Sequence, residues 1–283
     1  MPLLHVLILA LVQGVTEFLP ISSSGHLVLT WQAFDIAGWQ VAEETKAERL
    51  VLDIAVHLGT LFAVLVYFRA DVGEMLSGAV KLTKGRRDPG GQLVLYIVAA
   101  TLPLLLAGFL MKDLVTESLR NPTVIAWATI GFGLLLYAGD KFGLTLKRLE
   151  HIGYGSVAVI GLAQVLALIP GTSRSGITMT AARFCGLERT EAARFSLLLA
   201  VPAILGAATL AGIDLYRMGD LRLGLSAGLA AGFAFAAALA AIAAMMNWLK
   251  KASFTPFVVY RILLGALLLY LINGTELGAA LGS

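Results

Sequence analysis

Charge is what this sequence has least of. Of its 283 residues only 14% are Asp, Glu, Lys or Arg, against about a quarter in an ordinary soluble domain. It has one cysteine, Cys185, which excludes an internal disulfide and a cysteine-built metal cluster. The four histidines include no H-E-x-x-H spacing, so a zincin-type centre is excluded. No basic face is interleaved with aromatics, which argues against a nucleic-acid partner. Residues 1–12 carry no Lys or Arg, so no cleaved signal peptide is expected there.

What remains is apolar. The hydrophobic share is 58% and the mean hydropathy is +0.85, with several apolar runs of about 20 residues. These features describe an all-α integral membrane protein. The net charge of +3 and pI near 9.0 are then explained by basic loops on the cytoplasmic side. Residues 50–68, 93–111, 122–139, 195–212, 223–248 and 257–272 read as six transmembrane helices. The basic residues gather in four places: the segment 69–92, the segment 140–151, the stretch holding Arg183, Arg189 and Arg194, and the pair Lys250 and Lys251. That pattern places those loops in the cytoplasm and both termini outside. The acidic connector 31–49 falls on the outer side.

Two stretches do not fit a simple span. The first is Ile169-Pro170-Gly171-Thr172-Ser173-Arg174-Ser175-Gly176-Ile177-Thr178, a polar turn between apolar segments. Pro170 ends the incoming helix, and Gly171 and Gly176 free the backbone to turn. An arginine at membrane depth is costly and calls for a function or a buried carboxylate partner. Hydroxyls of Thr172, Ser173 and Ser175, backbone N–H groups and the Arg174 guanidinium together suit an anion with several oxygens, phosphate above all. The second stretch is the segment 2–34, broken by Pro20 and the turn Ile21-Ser22-Ser23-Ser24-Gly25-His26. It is too short for two spans and reads as a re-entrant helical hairpin, which is tolerated only where it lines a polar cavity. Residues 152–185 form the second such hairpin.

Each half of the chain therefore runs hairpin, span, span, span. Three spans are odd, so the two halves have opposite orientations. The whole is a single membrane domain, 1–283, with inverted repeats at about 1–139 and 152–273. Leu11-Val12-Gln13 before the first turn echoes Leu162-Ala163-Gln164 before the second.

Gln13 and Glu17 share one helix face, four residues apart. As a structural group, Glu17 would be protonated or paired with Arg174. As a functional one, it would hold a divalent cation or take a proton from a nucleophile. His26 follows the run Ser22-Ser23-Ser24 by two residues, in reach of acid–base work, although a lone histidine is often structural. Asp53 and His57, also four apart, read as supporting residues. Such a set suits phosphoryl transfer on a lipid whose tail stays in the bilayer.

At this point the residues resemble a known family. Gln13-Gly14-Val15-Thr16-Glu17 through Ser22-Ser23-Ser24-Gly25-His26 is similar to the glutamate-rich motif of the undecaprenyl-diphosphate phosphatases, the bacitracin-resistance family. Pro170-Gly171-Thr172-Ser173-Arg174-Ser175-Gly176-Ile177-Thr178 is similar to that family's second signature, PGxSRSxxT. The resemblance implies an enzyme of the bacterial inner membrane. It would convert undecaprenyl diphosphate to undecaprenyl phosphate and inorganic phosphate, recycling the carrier lipid of peptidoglycan synthesis. It further implies a site open to the periplasm and a divalent cation, Mg2+ or Ca2+. By position, Glu17 is the essential acid and metal ligand, Ser23 a candidate nucleophile, His26 a candidate base and Arg174 the phosphate ligand. Ser173, Ser175 and Thr178 supply supporting hydroxyls. Gln13 stands where many members carry glutamate, so a second carboxylate ligand is missing here. The rival expectation is a transporter or flippase for the carrier lipid, since inverted repeats with broken helices are a transporter scaffold. A homodimer is left open.

Overall fold

The computed structural model describes residues 3–38, 46–111, 121–218 and 221–274, and every element is helical. In chain order these are α1 (Leu3–Thr16), α2 (Ser23–Ile36), α3 (Lys46–Tyr67), α4 (Arg69–Thr83), α5 (Pro89–Leu110) and α6 (Pro122–Phe142). A short 3-10 turn, Leu149–His151, leads to α7 (Tyr154–Val165) and a second 3-10 turn, Leu166–Leu168. Then come α8 (Arg174–Phe184), α9 (Arg189–Met218), α10 (Leu221–Leu249) and α11 (Thr255–Gly274).

Among the described residues five stretches are long and apolar enough to cross a membrane: Arg49–Tyr67, Pro89–Leu110, Pro122–Phe142, Gly224–Leu249 and Thr255–Asn273. Their outward faces carry large apolar side chains, among them Leu102, Leu106, Phe109 and Leu110 on α5 and Leu263, Leu267 and Tyr270 on α11. So much exposed apolar surface fits lipid contact. The sixth expected span, 195–212, falls within α9, a 30-residue helix with Pro202 in its interior; its side chains beyond residue 206 lie outside the described residues. Residues 112–120 also lie outside them, as does the C-terminal tail from residue 275.

Two elements differ from the sequence expectation. The segment 69–92, expected as a loop, contains α4, a helix of 15 residues packed against α5. Gly78 allows this approach: a Cβ there would stand 2.0 Å from the Gly91 nitrogen. Arg183 is not a loop charge either. It is buried, and its guanidinium donates to the carbonyls of Leu187, Asp140 and Gly143 and to Thr145 Oγ1. Asp140 supplies the compensating charge, 3.6 Å away, and also accepts from Arg189.

The centre of the molecule is unusual in its polarity. In α8 every residue from Ser175 to Arg183 is buried, so this short hydroxyl-rich helix is sealed within the bundle. Only such a position tolerates interrupted helices at membrane depth. Around it α6, α7 and α9 pack. In α9, Phe195, Leu197, Leu198 and Leu199 are all buried, as expected of a helix surrounded on every side.

Close backbone contacts hold the helices together. Gly59 on α3 faces α10, where an added Cβ would lie 2.1 Å from the Ala231 carbonyl oxygen. Small residues at such crossings let helices approach where no hydrophobic driving force exists in lipid. Gly59→Ala is therefore expected to destabilise the bundle by about 2 kcal/mol, as overpacking does. Gly73→Ala on α4, where nothing lies within 4 Å of the new methyl, is expected to be neutral or slightly stabilising. Thermal melting of both variants in detergent checks this contrast; equal melting temperatures would contradict it.

Candidate active site

Two broken helices build the site. The first break follows α1: the chain turns at residues 17–22 and restarts at Ser23. The second follows the 3-10 turn after α7 and restarts at Arg174. Both restarts share one unusual local geometry. Ser22 has φ +76° and Ser173 has φ +71°, the only non-glycine residues with positive φ among those described. Each is an N-cap whose hydroxyl accepts from the N–H three residues on, Gly25 at 3.4 Å and Gly176 at 3.1 Å. Left-handed backbone at a non-glycine residue costs energy and tends to mark functional sites. Gly171 takes φ +93° and packs so closely on α6 that a Cβ would stand 2.5 Å from the Ile125 carbonyl.

The two turns meet at Glu17. Arg174 Nη2 donates to Glu17 Oε1 at 2.8 Å, joining positions 157 residues apart. Ser23 Oγ donates to Glu17 Oε2 at 2.6 Å, and Gln13 Nε2 donates to the same oxygen at 2.7 Å. His57 Nε2, on α3, stands 3.7 Å from Oε2, with its Nδ1 bound to the Asp53 carbonyl. Ser175 Oγ crosses between the turns to the Leu19 carbonyl at 3.0 Å. Glu17 is buried, with a side-chain exposure of 5% against 14% for Arg174 and 30% for His57. A carboxylate buried this far needs such partners.

The remaining residues sort by their neighbours. Thr178 Oγ1 lies 2.6 Å from Ser196 Oγ and shares its one proton between the Arg174 and Ser175 carbonyls, so it braces the start of α8. Ser173 Oγ pairs with Ser175 Oγ at 3.1 Å, and Ser22 Oγ lies 3.4 Å from Ser24 Oγ. His26 is turned away from Ser23. Its Nδ1 meets the Ser22 carbonyl at 2.7 Å and its Nε2 meets the Tyr260 hydroxyl at 2.6 Å. A carbonyl only accepts, so Nδ1 carries the proton; in the neutral ring Nε2 then accepts from Tyr260. The basic nitrogen is thereby occupied, and Ser23 hands its hydrogen bond to Glu17 instead.

Three buried polar atoms in this region have no partner: Gln13 Oε1, Thr172 Oγ1 and Arg174 Nη1. Unsatisfied buried groups are rare in native proteins and often await a ligand. Here they are one acceptor on α1, one hydroxyl on the second turn and one cationic donor at the start of α8. Tyr260 and Arg261, both on α11, also reach the site. Neither was singled out by motif, although an arginine inside an apolar span was a legible signal.

The family model described as bacitracin resistance protein BacA matches residues 6–267, and so covers both turns. The chain belongs to this family. Among BacA-like relatives, undecaprenyl-diphosphatase 1 of Rhodospirillum rubrum is 49% identical over 273 residues, 96% of this chain and 95% of the relative. The undecaprenyl-diphosphatase of Teredinibacter turnerae is 44% identical over 269 residues, 95% of this chain and 98% of its own. That of Alteromonas mediterranea is 44% identical over 275 residues, covering 96% and 99%. All three are named for a hydrolase, and none for a transporter.

Proposed function

We propose that this chain hydrolyses undecaprenyl diphosphate to undecaprenyl phosphate and inorganic phosphate, with Glu17, Ser23 and Arg174 as its reacting centre. The observation that carries the reading is the Ser23–Glu17 hydrogen bond at 2.6 Å beside the Arg174 guanidinium. A nucleophile, a base and an oxyanion ligand together have a use in phosphoryl transfer. Transport of an intact lipid needs no such serine–carboxylate pair.

In this reading Arg174 leans from Glu17 toward the entering diphosphate, using the Nη1 that has no protein partner. Thr172 Oγ1 is the second donor without a partner. Ser23 Oγ attacks the terminal phosphorus, and its proton passes to Glu17 Oε2. The bond from phosphorus to the bridging oxygen breaks, and undecaprenyl phosphate leaves with the electron pair. Water then attacks the phosphoserine, the bond from phosphorus to Ser23 Oγ breaks, Glu17 returns its proton to Ser23 Oγ, and the water's oxygen and hydrogens leave in the inorganic phosphate. His26, held by Ser22 and Tyr260, supports the turn that carries Ser23.

Among the described residues no group of three or more His, Cys, Asp or Glu side chains is placed to cage a metal ion. The donor set nevertheless fits a hard cation shared with the substrate. Glu17 offers a carboxylate, Gln13 an unpartnered Oε1 and Ser23 a hydroxyl. Mg2+ is commonly held by one or two carboxylates plus substrate phosphates. Such an ion, Mg2+ or Ca2+, would offset phosphate charge during the displacement.

The architecture that goes with this reading is six spans and two re-entrant hairpins, in inverted repeats at about 1–139 and 152–273. The matched Ser22 and Ser173 N-caps support it. Loop charges support an inner-membrane protein with its site open to the periplasm and both termini outside. Whether two copies associate is decided by mass measurement in detergent.

The covalent route has its own test. Prenyl diphosphate labelled at the terminal phosphorus is mixed with enzyme and quenched in acid. The label is expected on Ser23, and Ser23→Ala is expected to lose both label and turnover. Full turnover in Ser23→Ala would overturn serine attack.

A further inference from the structure

Arg261 is fully buried on α11, and no carboxylate among the described residues pairs with it. Its guanidinium is spent on backbone carbonyls instead. Nη2 donates to Gly171 O and Thr172 O, both at 2.9 Å, and lies 3.5 Å from Ala128 O. Nη1 donates to Pro20 O at 3.2 Å, and Nε to Thr129 O at 3.0 Å. Pro20 belongs to the first turn, while Gly171 and Thr172 belong to the second. One side chain thus grips both breaks and α6 at once.

The space for it is provided by two glycines. A Cβ on Gly133 of α6 would stand 3.2 Å from Arg261 Cβ, and one on Gly176 of α8 would stand 2.9 Å from Arg261 Nη1. An uncompensated charge in a protein interior is expensive. Carbonyl dipoles offset part of that cost, and an anionic ligand bound above the turns would offset more. The planar fork matters as much as the charge. Only a guanidinium offers five N–H donors in one plane, so an ammonium could not reach both turns together. Because a trans peptide is planar, pinning the Gly171 and Thr172 carbonyls also fixes where the following N–H groups of the turn point.

We propose that Arg261 is a positioning residue of this site: it holds the two broken-helix turns in register and sets a buried positive charge beneath the turn that carries Arg174. The proposal rests on the phosphatase reading only for its turnover arm. Its binding arm uses inorganic pyrophosphate and stands without that reading.

The test compares the full-length native protein, Arg261→Lys and Arg261→Gln in detergent, well below their melting temperatures. Arg261→Lys keeps the charge and loses the fork. It is expected to bind pyrophosphate within threefold of native while its kcat on a long-chain prenyl diphosphate falls at least tenfold. Arg261→Gln loses both and is expected to bind pyrophosphate at least tenfold more weakly and to lose at least a hundredfold in kcat. Affinity for a neutral prenyl alcohol should change little in either variant, because a general loss of structure would weaken both ligands alike. Native kcat in Arg261→Lys overturns the registration role, and native pyrophosphate affinity in Arg261→Gln overturns the charge role. Should Arg261→Gln fail to fold, the kcat of Arg261→Lys decides alone. Pyrophosphate binding without prenyl diphosphate turnover in the native protein would sink the phosphatase reading and leave the binding arm intact.

Discussion

Glu17→Gln is expected to lose at least about a thousandfold in turnover while the protein stays folded. Glutamine fills the same volume and can still accept from Ser23 and Gln13. It cannot take the proton that Ser23 must lose, and general-base catalysis is worth about 100- to 10,000-fold. It also leaves Arg174, which now bonds Glu17 at 2.8 Å, without its counter-charge. Glu17→Ala is the harsher change. It strands the hydrogen-bond donors of Ser23, Gln13 and Arg174 in a buried pocket. Breaking a buried ion pair from one side costs about 3–5 kcal/mol, so this variant should melt lower as well as lose activity. Phosphate release and thermal melting, measured together, separate the two effects. Wild-type turnover in Glu17→Gln would remove Glu17 from the chemistry.

Arg174→Ala carries the second large effect. An arginine that stabilises charge on a transferring phosphoryl group is worth about 1,000- to 100,000-fold, so kcat/KM should fall by at least about a thousandfold. Arg174→Lys should recover only part of this, since an ammonium cannot give a carboxylate and a phosphate two parallel bonds. The same change releases the contact between the turns at Glu17, leaving Ser175 on Leu19 and Arg261 on Pro20, Gly171 and Thr172 to hold them. The fold should therefore survive. An Arg174→Ala protein with native kcat/KM would contradict the assignment of this guanidinium to the diphosphate.

Much of this was legible before the structure, for identifiable reasons. The scarcity of charge and the long apolar runs fixed the class, because lipid leaves few alternatives to helices. Pro20 and Pro170, each followed by hydroxyls and glycine, marked both breaks. Glu17 and Arg174 stood out because ionised groups at membrane depth need partners, and here each proves to be the other's. What escaped was set by tertiary contact. Ser23 lies within three residues of His26 in the chain, yet its hydroxyl turns to Glu17, because Ser22 and Tyr260 already hold both nitrogens of the imidazole. Tyr260 is 234 residues from His26, a pairing no local pattern announces. Arg183 and Arg189 lie close in sequence and both read as loop charges. Only packing against Asp140 buries the first and leaves the second partly exposed. Helix α4 escaped for a different reason: its mixed composition gave no long apolar run, and it is stabilised by lying on α5.

The BacA family membership and the geometry bear on different questions. The first says what the relatives are named for. The second says why this arrangement is competent: a hydroxyl already bonded to a base, and a cation with a free donor beside it. The proposal that draws on both is that the two turns form a single diphosphate-cleaving site. The most direct measurement is phosphate release from a long-chain prenyl diphosphate in detergent micelles. Native protein, Glu17→Gln and Arg174→Ala are compared, each with Mg2+, with Ca2+ and with a chelator. The native protein is expected to release phosphate with a divalent cation, and neither variant to release any above background although both melt cooperatively. Release that persists in both folded variants, or no release by folded native protein under any condition, would contradict that proposal.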